Sequence, residues 1–386
     1  FNMKTIYSNL IRKAIFLVSM LVILGSAAGP VTALRNTVVD DSLLLAPAAN
    51  DDFSHAVNIT ALPFRRTLSP FEATEAVDDP TATRCNLAPG PATVWYKYRP
   101  AAKIMVHMDT IGSSYDTYMA IWRGARGSLT AEACNDDADA ATFASAINIT
   151  LSAGVMYYIE VAQFNGNIAD TGVESVKPAV DLASDKTAGA KHVFRLVRIV
   201  TRTFKSDGTQ DGYVIESKET SGKGLLKDSV LPYLRVGDDE KKRQYRGFLS
   251  FNTSALPDNA VVNFALVKLK RSLVSSGSVF TKLGKVKVDI RLPYFGTGLA
   301  LASADFEAAA SRTSVGTLGT AAVSGWFQAN LRSTSFAFVN RKGSTQFRLM
   351  FPKDDNNDTV ADYIRFFSGN SVETNKPILV VRYYIP

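Results

Sequence analysis

Short stretches that alternate between apolar and polar residues recur along most of the chain, and this period of two is typical of β-strands. The stretches are rich in aromatic and β-branched residues, and Gly, Pro, Asn and Asp fill the gaps between them. In the first half, strands are predicted at residues 93–99, 103–109, 116–122, 155–162 and 191–200. In the second half, they are predicted at residues 245–251, 260–270, 285–290, 345–351, 362–367 and 377–385.

Residues 303–312 (SADFEAAASR) are the one predicted helix, because Ser303 can cap it, acids lie in its first turn and Ala fills it. The rest of the pattern predicts an all-β fold of two antiparallel, jelly-roll-like β-sandwiches in tandem, in which each sheet has one buried and one solvated face. The domain boundary is expected near Thr201. A polar, aperiodic stretch at residues 165–190 is interpreted as a surface insertion or a linker.

Residues 1–33 have the features of a cleavable signal peptide. Arg12 and Lys13 precede an apolar run at residues 14–25, and Val31-Thr32-Ala33 fits a cleavage site. An uncleaved N-terminal anchor is the alternative. Residues 34–49 are interpreted as a linker, and no later apolar stretch reaches the ~18 residues of a membrane span. The expected location is therefore extracellular or at the cell surface, with no membrane span after cleavage.

Export favours a disulfide between Cys85 and Cys134, the only two cysteines. Closing a loop of about fifty residues stabilises the fold by on the order of 4 kcal/mol in the chain-entropy model. Two free thiols or half of a metal site are the alternatives, but the chain has no CxxC motif and no histidine near either cysteine.

The charge is divided unevenly along the chain. Residues 34–190 hold 11 Lys/Arg and 19 Asp/Glu, a net charge of −8, whereas residues 195–386 hold 28 and 17, a net charge of +11. This division fits two modules with different surfaces. The basic half suits an acidic polysaccharide, an anionic envelope or nucleic acid. The alternative is that its lysines solvate strand faces, as the alternation at residues 285–290 suggests, and no nucleic-acid partner is predicted.

The sequence gives little support for catalysis. The three histidines are far apart, and HExxH, GxSxG, GxxxxGK[ST] and CxxC motifs are missing. His107 lies on the strand face opposite Ile104, Val106 and Met108 and is predicted to be a strand-surface residue. A triad assembled in space or a glycosidase carboxylate pair would leave no local signature. We predict that the protein is not an enzyme and assign no catalytic residue.

Asp and Asn crowd together in the segment DDNND at residues 354–358. It fails as an EF-hand loop, because position 6 is Thr359 and position 12 is Arg365. Such clusters also form turns, since their side chains bond to their own backbone, and a turn between strands is the favoured interpretation. Calcium binding is the alternative; its candidate ligands are Asp354, Asn356, Asp358 and Asp362.

From Asn50 to about Phe164 the chain resembles the bacterial pre-peptidase C-terminal (PPC) family of secreted β-sandwich modules. The resemblance rests on the order NDDF, VWYKY, SSYDTYMAIW, CNDD and YYIEV. Such modules accompany secreted proteases and are not catalytic, and some relatives bind calcium or matrix polymers. The insertion at residues 165–190 departs from the family pattern. If calcium binding carries over, the matching acids are Asp51, Asp52, Asp116, Asp136 and Asp137.

From about Thr201 to Pro386 the chain resembles the DNRLRE-type β-sandwich of bacterial exported proteins. This resemblance rests on YLRVGDDEKKRQYRGFLSFNTSALPDNAVVNFALVKLK and on the closing segment ADYIRFFSGNSVETNKPILVVRYYIP. Members similar to this are carbohydrate-binding-like or adhesion modules. The resemblances place domains at residues 50–200 and 201–386.

The sequence thus predicts a secreted, non-catalytic binding or adhesion protein whose partner is extracellular polysaccharide or an envelope polymer. Sugar sites need aromatic platforms beside polar groups; Trp326 and Tyr363 are the candidates, whereas Trp95 and Trp122 are predicted to be core. One alternative is a structural subunit of a sheath, surface layer or filament, formed by self-assembly through edge strands. Another is the accessory region of a protease or glycosidase.

Overall fold

The structure is a computed structural model that describes residues 48–164 and 190–386, apart from residues 72, 75, 77, 78, 83, 84, 86–91, 276 and 278. Regular structure in these residues is almost entirely β-strand. The helical segments are short: α1 (Val279–Leu283) has five residues, and the 3-10 helix Ser333–Phe338 has six. The predicted signal peptide, residues 34–47 of the predicted linker and residues 165–189 lie outside the described residues.

Strands β1–β9 belong to the first half. They are β1 (Val57–Ile59), β2 (Phe64–Phe71), β3 (Val94–Tyr98), β4 (Ile104–Asp109), β5 (Thr117–Arg123), β6 (Thr130–Asn135), β7 (Ala146–Leu151), β8 (Tyr157–Gln163) and β9 (Ala190–Arg198). One sheet has the order β1-β3-β8-β5-β6 and the other the order β2-β9-β4-β7. Within the described strands of this half, the pairing is antiparallel except for β1 beside β3.

These two sheets share a hydrophobic core. Tyr96, Met119 and Ile159 from the five-stranded sheet belong to the same buried cluster as Met108 and Phe194 from the four-stranded sheet. Burying the inner faces of two sheets against each other is the arrangement of a β-sandwich.

The five-stranded sheet is buried on its other face as well. Trp95 and Trp122 pack there with Tyr118, beside the disulfide between Cys85 and Cys134. As a result β5 is buried at every position from Thr117 to Trp122, and the solvated face expected for an alternating strand is missing here. The predictions that Trp95 and Trp122 are core and that the two cysteines pair are both confirmed.

Strands β10–β21 belong to the second half. They are β10 (Val200–Lys205), β11 (Gly212–Glu216), β12 (Gly224–Asp228), β13 (Tyr233–Asp238), β14 (Gln244–Asn252), β15 (Val261–Val274), β16 (Lys287–Arg291), β17 (Arg312–Thr317), β18 (Trp326–Asn330), β19 (Ser344–Met350), β20 (Tyr363–Phe367) and β21 (Ile378–Tyr384). They form one connected sheet path, β10-β21-β15-β20-β13-β14-β19-β16-β17; β18 pairs with β15, β11 with β14, and β12 with β11.

The long strand β15 connects two layers of this sheet. Its first part pairs with β21 and β18, and its end, from Arg271 to Val274, pairs with β20. Side chains from both parts of the path, among them Val267, Phe347 and Ile364, meet in one buried core. The sheet therefore curls around its own apolar side chains, and the all-β, sandwich-like fold class is confirmed.

The chain passes from the first set of sheets to the second at Ile199, close to the boundary expected near Thr201. There the Ile199 amide donates to the carbonyl of Met105 at 2.9 Å, and Val197, Ile199 and Tyr384 form a small buried cluster. Residues Leu45–Pro386 form one compact unit. The division into domains at residues 50–200 and 201–386 stays a prediction.

The strand predictions hold to within a few residues for every segment described, but the helix prediction is wrong. Only Ser303–Asp305 form a 3-10 helix, and Arg312 already begins β17. Arg348 donates to the carbonyls of Phe306 at 3.1 Å and Ala308 at 2.7 Å. Phe306 is buried in an apolar cluster with Phe295. Tertiary contacts thus override the local helix preference.

The prediction that His107 lies on an open strand surface is also wrong. Its side chain is buried, and it bonds to Asp109 at 3.1 Å and to Asn148 at 2.9 Å. Its ring stacks on Tyr384, with the ring centroids 3.9 Å apart. The alternation placed His107 on the correct face, but the last strand of the chain covers that face.

Candidate functional site

Tyrosines and arginines from four neighbouring strands gather on one surface of the second half, where Tyr245 is buried and the others are half-buried. We call this group the tyrosine–arginine cluster. It consists of Tyr213 on β11, Tyr233 and Arg235 on β13, Tyr245 on β14, and Tyr363 and Arg365 on β20.

The period of two explains how β13 and β20 present these side chains. Leu234 and Val236 on β13, and Ile364 on β20, point into the core. The residues between them, Tyr and Arg, therefore point to the other face of the sheet. Because β13 and β20 are antiparallel neighbours, their polar faces lie side by side.

Arg235 is surrounded by the four tyrosines. Its guanidinium carbon lies between 5.2 and 5.8 Å from each of their ring centroids, and Nη1 donates to the Tyr245 hydroxyl at 3.3 Å. Arg365 lies 4.5 Å from the Tyr233 ring centroid and 5.3 Å from that of Tyr363. Distances under ~6 Å are those of cation–π contacts, so both guanidinium planes are held in place by aromatic rings.

The two positive charges face each other across the strand pair. Arg235 and Arg365 are direct partners in the β13–β20 register, and like charges in that position destabilise a sheet. No carboxylate of the described residues lies within ion-pair distance of either guanidinium. The buried Nε of each arginine also has no hydrogen-bond partner in that part of the chain. The cluster therefore carries uncompensated positive charge.

Tyr213 and Tyr245 stay protonated at neutral pH. Burial raises the pKa of both tyrosines, whereas the neighbouring Arg235 lowers it. Arginine is always charged in proteins. The cluster thus offers hydroxyl and guanidinium donors and aromatic ring surface.

The acidic loop at residues 354–362 lies at the start of β20. Lys282 donates to Asp362 at 2.6 Å and to Asp358 at 3.3 Å, and Asn356 donates to the same two carboxylates. The Lys282 ammonium thus pairs with the carboxylates of Asp358 and Asp362 and balances their negative charge. Asp354 is exposed. The loop is a turn between strands, as favoured from the sequence, and calcium binding by it stays a prediction.

The acids matched to calcium binding in the first half have separate partners. Asp51 accepts from Thr74, and Asp52 caps a 3-10 turn through Ser54 and pairs with Arg126 at 3.0 Å. Asp136 accepts from the amide of Asp137 at 3.0 Å. The carbonyl of Asp116 accepts from the amide of Phe164. In the residues that the structure covers, no three His, Cys, Asp or Glu side chains are placed to hold a metal ion.

The two aromatic residues predicted to bind ligand lie in different places. Tyr363 belongs to the tyrosine–arginine cluster. Trp326 lies on β18, on the other part of the sheet path, where the Lys268 ammonium is 5.3 Å from its ring centroid. The structure thus does not bring the two candidates together.

Sequence reasoning missed five of the six cluster residues, although a signal was present. The pattern Tyr-apolar-Arg occurs twice, as Tyr233-Leu234-Arg235 and as Tyr363-Ile364-Arg365. The second copy lies in a predicted strand, and the first lies ahead of the strand predicted at residues 245–251. Each copy puts its Tyr and Arg on the polar face. What the sequence could not show is that the two segments are neighbours in register.

Two carboxyl groups outside the cluster are deeply buried. Burial raises the pKa of Glu160 on β8 to about 8 and the pKa of Asp211 to about 7. Asp211 accepts from the backbone amides of Ser250 on β14 and of Gly369, which follows β20, and so ties these two segments together. Glu160 accepts from the Trp122 indole at 2.8 Å. Both groups have structural partners rather than an opening to solvent.

No family model and no curated protein matches the chain, so membership of the PPC and DNRLRE families stays a prediction. Among the described residues, no helix has both the length and the apolar character to cross a membrane.

Two solved structures that resemble the chain are distant from it. A beta-porphyranase of glycoside hydrolase family 86 from the human gut bacterium Bacteroides plebeius matches with a TM-score of 0.20 and 6% identity, over 77% of this chain and 37% of its own. The protein BuGH86wt, solved in complex with neoagarooctaose, matches with a TM-score of 0.18 and 9% identity, over 76% of this chain and 34% of its own. The chain thus spans about a third of the length of each. Likenesses of this size carry no argument about what the chain binds.

Proposed function

We propose that the chain is a secreted, non-catalytic binding or adhesion protein that recognises extracellular polysaccharide or a cell-envelope polymer through the tyrosine–arginine cluster. The observation that carries the proposal is the concentration of four tyrosines and two arginines on one sheet surface.

The chemistry of the cluster suits saccharides. A sugar ring presents both apolar C–H faces and hydroxyl groups, and tyrosine combines an aromatic body with a polar tip. Guanidinium groups add donors with fixed geometry. Because all six side chains stand on hydrogen-bonded strands rather than on free loops, the site is held in shape before a ligand arrives.

Two further observations agree with the proposal. The disulfide between Cys85 and Cys134 fits an oxidising compartment, which supports secretion. Most glycoside hydrolases use a pair of carboxyl groups at the scissile bond, whereas the cluster consists of tyrosines and arginines. This composition favours binding over hydrolysis by a carboxyl pair.

Affinity electrophoresis tests the proposal. The full chain is run through gels that contain one neutral or acidic polysaccharide each, and binding retards the protein. We expect retardation in at least one gel and its loss in Tyr363→Ala. Tyr294→Ala is the matched control, because Tyr294 is a half-buried tyrosine in a loop outside the cluster. Migration unaffected by every polysaccharide, or equal retardation of Tyr363→Ala and the wild type, would contradict the proposal.

A structural subunit that self-assembles is the second candidate, and strand β12 favours it. β12 is an edge strand, because β11 is its one strand partner among the described residues. On its other side, the Ser303 hydroxyl donates to the carbonyl of Leu225. Leu225 and Leu226 are 46% and 63% exposed, and apolar side chains on an edge strand favour pairing with another copy.

The molar mass in solution decides between the two candidates. Under self-assembly, light scattering after size exclusion gives a mass that rises with concentration, and Leu226→Lys restores the monomer. Val372→Lys is the control, because Val372 is equally exposed but lies outside β12. A monomer at every concentration removes this second candidate.

A further inference from the structure

We infer that the ligand of the tyrosine–arginine cluster is an acidic polysaccharide, one that carries sulfate or carboxylate groups. This inference rests on the proposed function and narrows it to a chemical class of ligand. It is carried by the two arginines rather than by the tyrosines.

Folding alone does not favour two guanidinium groups placed directly opposite each other on neighbouring strands. Arg235 and Arg365 are directly opposed in the β13–β20 register, which costs stability through repulsion. Stacking on tyrosine rings offsets part of this cost, but it leaves the charges without a counterion. A sequence that breaks a local rule in this way marks a functional site more often than a structural one.

The contrast with two other arginines of this half, Arg348 and Arg243, supports the interpretation. Arg348 has Asp289 at 2.8 Å and three backbone carbonyls as acceptors, so its charge is compensated within the fold. Arg243 likewise pairs with Asp239 at 2.6 Å. Arg235 and Arg365 have no such carboxylate among the described residues, and an anionic ligand would supply the missing negative charge.

The geometry of an arginine suits sulfate and carboxylate groups in particular. Its planar fork of donors matches the paired oxygens of these anions, which an ammonium does not. Two guanidiniums side by side on adjacent strands can contact neighbouring anionic groups along one polymer. The net charge of +11 over residues 195–386 adds long-range attraction.

A polysaccharide fits the cluster better than a single-stranded nucleic acid. Nucleic-acid platforms offer open aromatic faces on which bases stack. Here each of the four tyrosine rings has a guanidinium over it, within 5.2 to 5.8 Å for Arg235. Tyr213 and Tyr245, and Tyr245 and Tyr363, are also packed edge to face. These contacts leave less open ring surface than the stacking of successive bases needs, whereas a saccharide also uses the hydroxyl and guanidinium donors of the cluster.

Three polymers with one backbone provide the test: dextran, dextran sulfate and carboxymethyl dextran. Binding of the full chain to each is measured by affinity electrophoresis and by calorimetry at low and at moderate salt. We expect at least tenfold tighter binding to one of the two charged polymers than to dextran, weakening as salt is added. The two charged polymers distinguish sulfate from carboxylate as the preferred group.

The variants Arg235→Gln and Arg365→Gln remove one charge each and keep a polar side chain. We expect each to weaken binding to the charged polymer by at least fivefold. The matched control is Arg382→Gln on β21, because the Arg382 guanidinium also stacks on a ring, that of Phe264 at 4.5 Å. Arg382 also has a buried Nε without a partner in the described chain. Thermal melting confirms that each variant is folded, and Arg→Met replaces any variant that is not, because Met also removes the charge.

Four results would overturn the inference. If a neutral polysaccharide binds and neither charged polymer does, the inference fails while the proposed function stands. If no polysaccharide binds, both fail. If Arg382→Gln weakens binding as much as Arg235→Gln, the attraction is a general property of the basic half. If single-stranded poly-dT displaces the charged dextran at equal concentration, the cluster is a nucleic-acid site instead.

Discussion

Replacing Glu160 by Gln is expected to stabilise the protein at alkaline pH. Glu160 is fully buried on β8; Oε2 accepts from the Trp122 indole at 2.8 Å, and Oε1 has no hydrogen-bond partner in the described residues. Burial is the main cause that raises its pKa from 4.5 to about 8, and the nearby Asp79 raises it further, whereas the Trp122 bond lowers it. A neutral side chain of the same shape avoids the cost of a buried charge.

The size and the sign of the pH effect on the free energy of unfolding follow from the linkage between proton binding and folding. Between about pH 4.5 and pH 8 the folded chain keeps a proton on Glu160 that the unfolded chain has released. Raising the pH therefore favours unfolding, which is the reverse of the usual effect of a carboxylate in an ion pair. Each pKa unit corresponds to about 1.4 kcal/mol. Glu160 alone should thus lower the free energy of unfolding by on the order of 5 kcal/mol across this window.

Urea unfolding of the wild type, Glu160→Gln and Glu240→Gln, each measured near pH 5, 7 and 9, checks the prediction. The control, Glu240, is exposed. We expect the wild type and the control to lose stability in parallel as the pH rises, and Glu160→Gln to lose several kcal/mol less. Asp211, with a pKa of about 7, contributes equally to all three proteins. Identical slopes for the wild type and Glu160→Gln would refute the reasoning.

Three further perturbations have defined outcomes. Cys134→Ser removes the disulfide that joins two residues 49 positions apart in the sequence. This change should lower the free energy of unfolding by about 4 kcal/mol. A reductant should then have no further effect on the urea midpoint of the variant. Arg348→Met leaves Asp289 buried without its 2.8 Å partner and should cost about 3–5 kcal/mol; if replacing Asp289 by Leu as well does not recover part of this loss, the ion pair is not its cause. Lys282→Met removes the ammonium from the fully buried Asp362 and should lower the melting temperature clearly more than Lys285→Met, an exposed neighbour; equal shifts would mean that the loop does not depend on this contact.

The candidate site could be predicted only in fragments. Tyr363 was identified because it lies in an alternating strand beside a polar loop, but its partners are on β11, β13 and β14. Alternation tells which side chains share a face of one strand. It does not tell which strands are neighbours, because that depends on contacts between residues far apart in the chain. Trp326 illustrates the same limit. Like Tyr363 it is an aromatic residue beside polar groups in the sequence, but it lies away from the cluster.

The errors in the fold have a similar origin. Residues 303–312 have helix-forming composition, yet burial of Phe306 and the bonds from Arg348 to two carbonyls hold them in another conformation. His107 occupies a polar position of β4, yet Tyr384 covers it. At residues 303–312, distant parts of the chain outweigh a local helix preference that is worth at most about 1 kcal/mol per residue. At His107, burial depends on a strand far away in the sequence.

The sequence by itself determined the all-β class, the approximate extent of eleven of the 21 described strands, the pairing of Cys85 with Cys134 and the core positions of Trp95 and Trp122. These follow from the two-residue period of the side chains, from the presence of only two cysteines and from the apolar bulk of the residues. Only the tertiary structure decided which strand faces stay open to solvent and that Arg235 meets Arg365. Solvation and charge are properties of the surface left after distant strands have packed, and no local pattern contains that information.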